Sequence, residues 1–185
     1  MRRLPFDSVC VAEVAAVRAE PRDDAEQVTQ ALRGEPLRVE ERRDGWARVV
    51  TAYDYPGWVR EEALRGDPVE EARRFLGAPY EWGGMSERGV DCSGLVHVAF
   101  RRAGRLVPRD AHEQEAAGAE VAEAELRPGD LVTYGGADGA DHIAFWLGGG
   151  RILHATDREG VHRVLEEPEP DFLRARRRRL VRLAI

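Results

Sequence analysis

The chain has 185 residues, 43% of them apolar and 34% charged, and a formal net charge of −6. That length suits one domain or two small ones, the apolar share excludes a disordered chain, and the acidic balance argues against a nucleic-acid polyanion as the main partner. All 28 basic residues are Arg, which excludes chemistry that needs a lysine amine, such as a Schiff base or a P-loop lysine.

The chain starts Met1-Arg2-Arg3, but Pro5, Asp7 and Glu13 interrupt any apolar signal-peptide core. No stretch approaches the ~18 apolar residues of a membrane span. The expectation is a cytoplasmic protein with no membrane contact. Cys10 and Cys92 are the two cysteines and permit at most one disulfide, so this is not a disulfide-framed scaffold.

Residues 9–64 read as short Val-rich strands: 9–17, 27–32, 37–41, 46–52 and 57–60. Turn residues separate them, as in Arg33-Gly34-Glu35-Pro36, Arg43-Asp44-Gly45 and Tyr55-Pro56-Gly57. Strand-sized segments at this spacing predict a small all-β barrel. The Gly45-Trp46 and Gly57-Trp58 pairs, each followed by apolar residues, resemble the bacterial SH3-type domain. The reading therefore divides the chain into residues 1–64 and 65–185.

At that boundary Asp67 is a good N-cap, Pro68 suits the first helical position and Glu70 the third. A helix over 68–76 is predicted to end at Gly77. An irregular loop, Gly77-Ala78-Pro79-Tyr80-Glu81-Trp82-Gly83-Gly84, follows. Then Cys92, Leu95, Val96, Ala99, Phe100 and Ala103 recur at helical spacing, with Asp91 as cap and Gly104 as terminator. After Pro128-Gly129-Asp130, strands are predicted at 131–134, 142–147, 151–155 and near the C-terminus. A helix followed by an antiparallel sheet is an α+β arrangement.

Cys92 falls in the first turn of its helix. The unpaired N–H groups and positive dipole end there favour a thiolate, lowering the pKa below its free value of ~8.5. A thiolate is the nucleophile of cysteine catalysis; a buried, inert Cys on an apolar face is the bland alternative. His142 and His154 sit on neighbouring strands joined by Gly148-Gly149-Gly150. A tight turn there puts them directly opposed or one diagonal apart on the same face. One imidazole can then orient the other, as base and orienter do in a triad.

Six blocks together carry a resemblance: Pro79-Tyr80-Glu81-Trp82-Gly83-Gly84, Asp91-Cys92-Ser93-Gly94-Leu95-Val96, Pro108-Arg109-Asp110, Leu126-Arg127-Pro128-Gly129-Asp130-Leu131, Asp141-His142-Ile143-Ala144 and Ile152-Leu153-His154-Ala155. In this order they resemble the NlpC-type cell-wall cysteine peptidases, over residues 68 to about 182. The resemblance implies a papain-like α+β catalytic domain after the SH3-like β-barrel. It also implies Cys92 as nucleophile, His142 as its base, His154 as orienter of that base and Tyr80 beside the nucleophile. An SH3-type barrel ahead of such a domain resembles the γ-D-glutamyl-L-diamino acid endopeptidases, whose barrel restricts the cleft to peptides with a free N-terminal L-Ala. That assigns Asp110 to the substrate ammonium, Asp91 and Ser93 to the pocket, and Glu20 with Tyr55 (or Tyr53) to the barrel's share. Ala111 is a departure, since a Ser commonly follows the aspartate in that subgroup.

The implied function is a thiol hydrolase acting on murein peptides in cell-wall recycling, with no cofactor and no metal. The alternatives are a non-catalytic module that binds a wall peptide, or a related thiol amidase or acyltransferase. His97 lies mid-helix and is read as an exposed or satisfied side chain, His112 and His162 lack a placed partner, and Cys92, His142 and His154 lack the close-ligand spacing of a zinc site. The arginine run 176–179 is read as the last strand with charged outward positions.

Overall fold

The computed structural model describes residues 8–183. Met1, Arg2, Arg3, Pro5 and Asp7, which enter the reading of the chain start, lie outside the described residues. The described residues form two compact units, one running to Gly66 and taking in Arg102–Arg105, the other holding Asp67–Arg101 and the residues from Leu106 onward.

The first unit is a barrel-like sheet of β1 (Ser8–Val9), β2 (Val14–Arg18), β3 (Gln27–Leu32), β4 (Pro36–Arg43), β5 (Trp46–Thr51) and β6 (Pro56–Arg60). Its strands run antiparallel in the order β1-β4-β5-β6-β2-β3. The expected first strand is therefore two strands. β1 pairs with β4, whereas β2 pairs with β3 and β6, so the link between them must leave the ladder. In that link Cys10 N–H donates to Glu35 and Val11 N–H to Ala63. Val17, Ala31, Leu37, Ala47, Val49 and Val59 are fully buried and form the small core. Trp46 and Trp58 are buried at its margin, each under a guanidinium, Arg60 at 4.4 Å and Arg43 at 4.6 Å from the ring centres. Gly57 is obligatory, since a Cβ there would collide with Val17 and stand 3.0 Å from the Arg18 carbonyl.

The second unit opens with α1 (Pro68–Arg73), whose cap Asp67 accepts from Val69 N–H at 2.8 Å. It stops short of the expected residue 76. Phe75 and Leu76 donate to carbonyls three residues back, a tighter turn that feeds Gly77 at φ 84°. The hairpin β7 (Met85–Ser86) and β8 (Gly89–Val90) leads into α2 (Cys92–Arg102). Next come α3 (Ala111–Ala117), β9 (Ala119–Glu120), β10 (Leu131–Gly136), β11 (Gly139–Gly148), β12 (Arg151–Thr156), β13 (Arg163–Pro168), α4 (Asp171–Arg174) and β14 (Arg177–Arg182). The six longer-range strands form one antiparallel sheet, β13-β12-β11-β10-β14-β9.

Strand alternation divides the core between the faces of this sheet. Leu131, Ile143, Phe145 and Leu153 pack with Leu95, Val96, Ala99 and Phe100 of α2, with Phe100 and Phe145 stacked at 5.9 Å. Val132, Tyr134, Ala144 and Ile152 form a separate cluster with Leu173 of α4. The run 176–179 leads into the last strand as read, with Arg176 and Arg179 exposed, but Arg177 and Arg178, like Arg182 beyond it, are drawn into ion pairs. Arg177 is paired with Glu169, Arg178 with Glu115 and Arg182 with Asp130, and all three carboxylates are nearly buried.

Candidate active site

One buried carboxylate organises the start of α2. Asp91 Oδ1 accepts from Gly94 N–H at 2.6 Å, the expected cap. Its Oδ2 accepts from Gly83 N–H and from Arg109 Nη2, both at 2.7 Å, and Arg109 Nη1 donates to Ser93 Oγ at 2.9 Å. Gln114 Nε2 donates to the carbonyls of Ser93 at 3.0 Å and Pro108 at 2.8 Å. Three separate segments are thereby tied around the first turn that carries Cys92. Gly94 is required by this closeness, because a Cβ there would stand 2.8 Å from Asp91 Oδ1 and closer still to the Gly84 carbonyl.

The thiol of Cys92 is buried, and its pKa is pushed up to about 11 by that burial and by the charge of Asp91. The backbone N–H groups of Ile143, Ser93 and Cys92 itself act the other way. This corrects the expectation of a resting thiolate. The helix N-terminus is where the sequence puts it, but burial outweighs it, and the capping carboxylate adds a negative charge beside the sulfur. The Ile143 N–H belongs to the peptide bond that joins it to His142, so the sulfur lies against the backbone of the expected base.

His142 and His154 are hydrogen-bonded, Nε2 to Nδ1, at 2.8 Å. Phe145 faces Leu153 across β11 and β12, which makes the two histidines diagonal neighbours. Their rings meet edge-on at 5.1 Å. The contact continues, with His154 Nε2 3.0 Å from Glu167 Oε1 and Arg158 gripping Glu167 through two nitrogens at 3.0 and 2.8 Å. His154 is fully buried. Burial, then His154 and Arg176, bring the pKa of His142 down to about 3. Burial also lowers that of His154 despite Glu167. Tyr134 lies at 5.6 Å from the His142 ring and donates its hydroxyl to Glu169 at 3.0 Å. The imidazoles thus share the row of Tyr134, while Cys92 packs with the row of Ile143 and Phe145; the two rows adjoin at the His142–Ile143 peptide.

Tyr80 packs partly buried against the Cys92 cluster. Burial raises its pKa, and the next contribution comes from Cys92, ahead of Asp157 and Asp91. Asp110 begins α3 with no capping hydrogen bond and an exposed side chain. Asp91 and Ser93 engage their polar atoms within the network just described. In the first unit Glu20 is exposed beside Arg22 at 3.2 Å, and Tyr53 and Tyr55 form an exposed pair 6.4 Å apart. Sequence reasoning missed Glu167, Arg158 and Gln114. Glu167 follows the strand position opposite His154 by two residues, so alternation would have placed it on the same face had β13 been read as a strand. Among the described residues no group of three or more His, Cys, Asp or Glu is placed to hold a metal ion, and no helix is long and apolar enough to cross a membrane.

A family model described as NlpC/P60 family matches residues 77–176, more than half of the chain. A second, described as bacterial dipeptidyl-peptidase Sh3 domain, matches residues 17–64. A gamma-D-glutamyl-L-lysine dipeptidyl-peptidase of Bacillus subtilis is 38% identical over 111 residues, 58% of this chain and 38% of that protein. A bifunctional muramidase/DL-endopeptidase of the same organism is 41% identical over 93 residues, 48% of this chain and 28% of that protein. The chain thus spans less than half the length of these curated relatives. Among solved structures, an NlpC/P60 family protein from Bacillus cereus has a similar fold, with a TM-score of 0.62 and 22% identity, over 95% of this chain and 62% of that one.

Proposed function

The chain belongs to the NlpC/P60 family, and from that premise we propose that it is a cysteine peptidase hydrolysing the γ-D-glutamyl–diamino acid amide of murein stem peptides. The observation that carries this reading is the Cys92 sulfur against the His142–Ile143 peptide, with His142 hydrogen-bonded to His154 at 2.8 Å. We assign residues 1–64 to the SH3-type domain and 65–185 to the peptidase domain; the two family matches fall on either side of that division.

In the resting protein both thiol and imidazole are neutral. His142 takes the thiol proton as Sγ attacks the γ-carbonyl, so ionisation accompanies attack. The Cys92 N–H, at the start of α2, donates to the oxyanion. The tetrahedral intermediate collapses as His142 protonates the leaving amine, and the diamino acid departs. His142 then deprotonates a water that hydrolyses the thioester, and Cys92 regains its proton. Tyr80 borders the reacting sulfur. Asp110 binds the ammonium of a free N-terminal L-Ala, with Asp91 and Ser93 shaping the pocket. A free L-Ala amine exists only once the stem has been cut from its sugar, so the substrate is a murein fragment of the kind that recycling handles.

The test is mass spectrometry of products from L-Ala-γ-D-Glu-diaminopimelate and its lysine counterpart, each with a free and with a blocked N-terminus. Cys92→Ala is expected to abolish release of the diamino acid, and unchanged release would sink the reading. Asp110→Ala should weaken kcat/KM for the free peptide by about 10- to 100-fold, the worth of a hydrogen bond to a charged group. It should leave the blocked peptide unaffected. Alkylation of the resting thiol does not separate a peptidase from a peptide-binding module on this fold, because a buried protonated thiol reacts slowly in either. Product formation does separate them, and transfer to an added amine in place of water would mark an acyltransferase.

A further inference from the structure

The hydrogen-bonded chain at His142 does not end at the second histidine. His154 Nε2 lies 3.0 Å from Glu167 Oε1, and both oxygens of Glu167 are held by Arg158. Arg158 is itself fastened, its N–H donating to Thr156 Oγ1 at 3.2 Å and its guanidinium lying 5.8 Å from the Phe172 ring centre.

An ionised carboxylate can only accept. The proton of the His154–Glu167 contact therefore sits on His154 Nε2. A neutral His154 then carries a lone pair on Nδ1, so the 2.8 Å contact between the histidines is a donation from His142 Nε2–H. That leaves Nδ1 of His142 without a proton. The geometry points to Glu167, clamped by Arg158, as a positioning residue that fixes the tautomers of both histidines and leaves His142 Nδ1 as the atom able to accept the Cys92 proton. Protonation states agree with this. Burial works against ionised Glu167, but the hydrogen bonds from Arg158 and His154 bring its pKa below the ordinary value, and burial keeps both imidazoles neutral.

Remove the carboxylate and nothing selects between the two tautomers of His154. With its proton on Nδ1, His154 would donate to His142 Nε2, push the His142 proton onto Nδ1 and take away the base. The tautomer assignment stands on contacts alone; only its catalytic consequence rests on the peptidase reading above.

Two-bond ¹H–¹⁵N correlation spectra of the full chain near neutral pH test it, with the rings assigned by substituting His97, His112 and His162 singly by Gln. The unaltered protein is expected to show His142 and His154 both protonated on Nε2 and bare on Nδ1. Glu167→Leu should give mixed tautomers and lower kcat by about 10- to 100-fold with little change in KM, less than the ~10⁴ seen when a triad loses its direct orienter. Glu167→Gln, which still offers a carbonyl oxygen to His154 and Arg158, should keep the tautomers and stay within a few-fold of the parent. A proton on His142 Nδ1 in the unaltered protein overturns the inference, whatever the variants do. So does a Glu167→Leu protein with unchanged tautomers and kcat within about twofold of the parent. Correct tautomers in a parent that releases no product would overturn the peptidase reading and leave the tautomer assignment supported.

Discussion

His142 and Cys92 are both held neutral, and each couples the fold to pH in an opposite sense. An unfolded histidine takes its proton near 6.5, whereas folded His142 takes one only at about 3. Between those values the unfolded chain binds a proton that the folded one does not, so stability falls as pH drops through that window. The slope from this group is up to about 1.4 kcal/mol per pH unit. His142→Gln should flatten it, as measured by urea midpoints across the window. Cys92 works at the other end, because its thiol keeps a proton up to about 11 when the unfolded thiol has lost it from about 9.0 upward. Stability is expected to fall as pH rises through that range, and Cys92→Ser should remove this loss. Residue types at these positions were legible in the sequence; their protonation states were not. A pKa set by burial sums neighbours from several segments, and the local helix-terminus argument saw only one of them.

At the scale of elements, the first turn of α2 is where packing is tightest. Gly94→Ala sets a methyl against the Gly84 carbonyl and Asp91 Oδ1, and a cost of about 1–3 kcal/mol is expected from such overpacking, read as a drop in thermal midpoint. α2 itself was plain from its period, its Asp91 cap and Gly104. The register of β11 on β12 was narrowed to two choices, because three glycines at the turn leave few ways to pair the strands, and the structure adopts the diagonal one. β13 was hidden: Arg163-Val164-Leu165-Glu166-Glu167-Pro168 carries two carboxylates and ends in proline, so it reads as a polar connection. Those carboxylates are there to meet Arg73 and Arg158, which come from elsewhere in the fold. α3 escaped for a similar reason, since besides Ala111 its buried residues are Gln114 and Glu115, polar residues whose partners lie on other elements.

Across the whole molecule, the change of period from short strands to helix and sheet was enough to expect two units of different class. What could not be read was how the acidic and basic residues pair. Asp130 and Arg182 are 52 positions apart, yet they form a two-point bridge at 2.6 and 2.7 Å. Because Asp130 is almost wholly buried, Arg182→Met leaves its carboxylate with the Arg127 N–H but without its counter-charge, and a lower urea midpoint of unfolding is expected. The same two-point grip recurs at Arg158 on Glu167 and Arg177 on Glu169.

A guanidinium stays protonated beyond any pH at which a protein ordinarily survives, whereas an ammonium begins to discharge near 10. Since every one of these grips is made by arginine, strong base leaves them charged and forked. In alkaline solution the grips are therefore still formed at the pH where the Cys92 thiol ionises, so the loss of stability there comes from the thiol and not from the ion pairs.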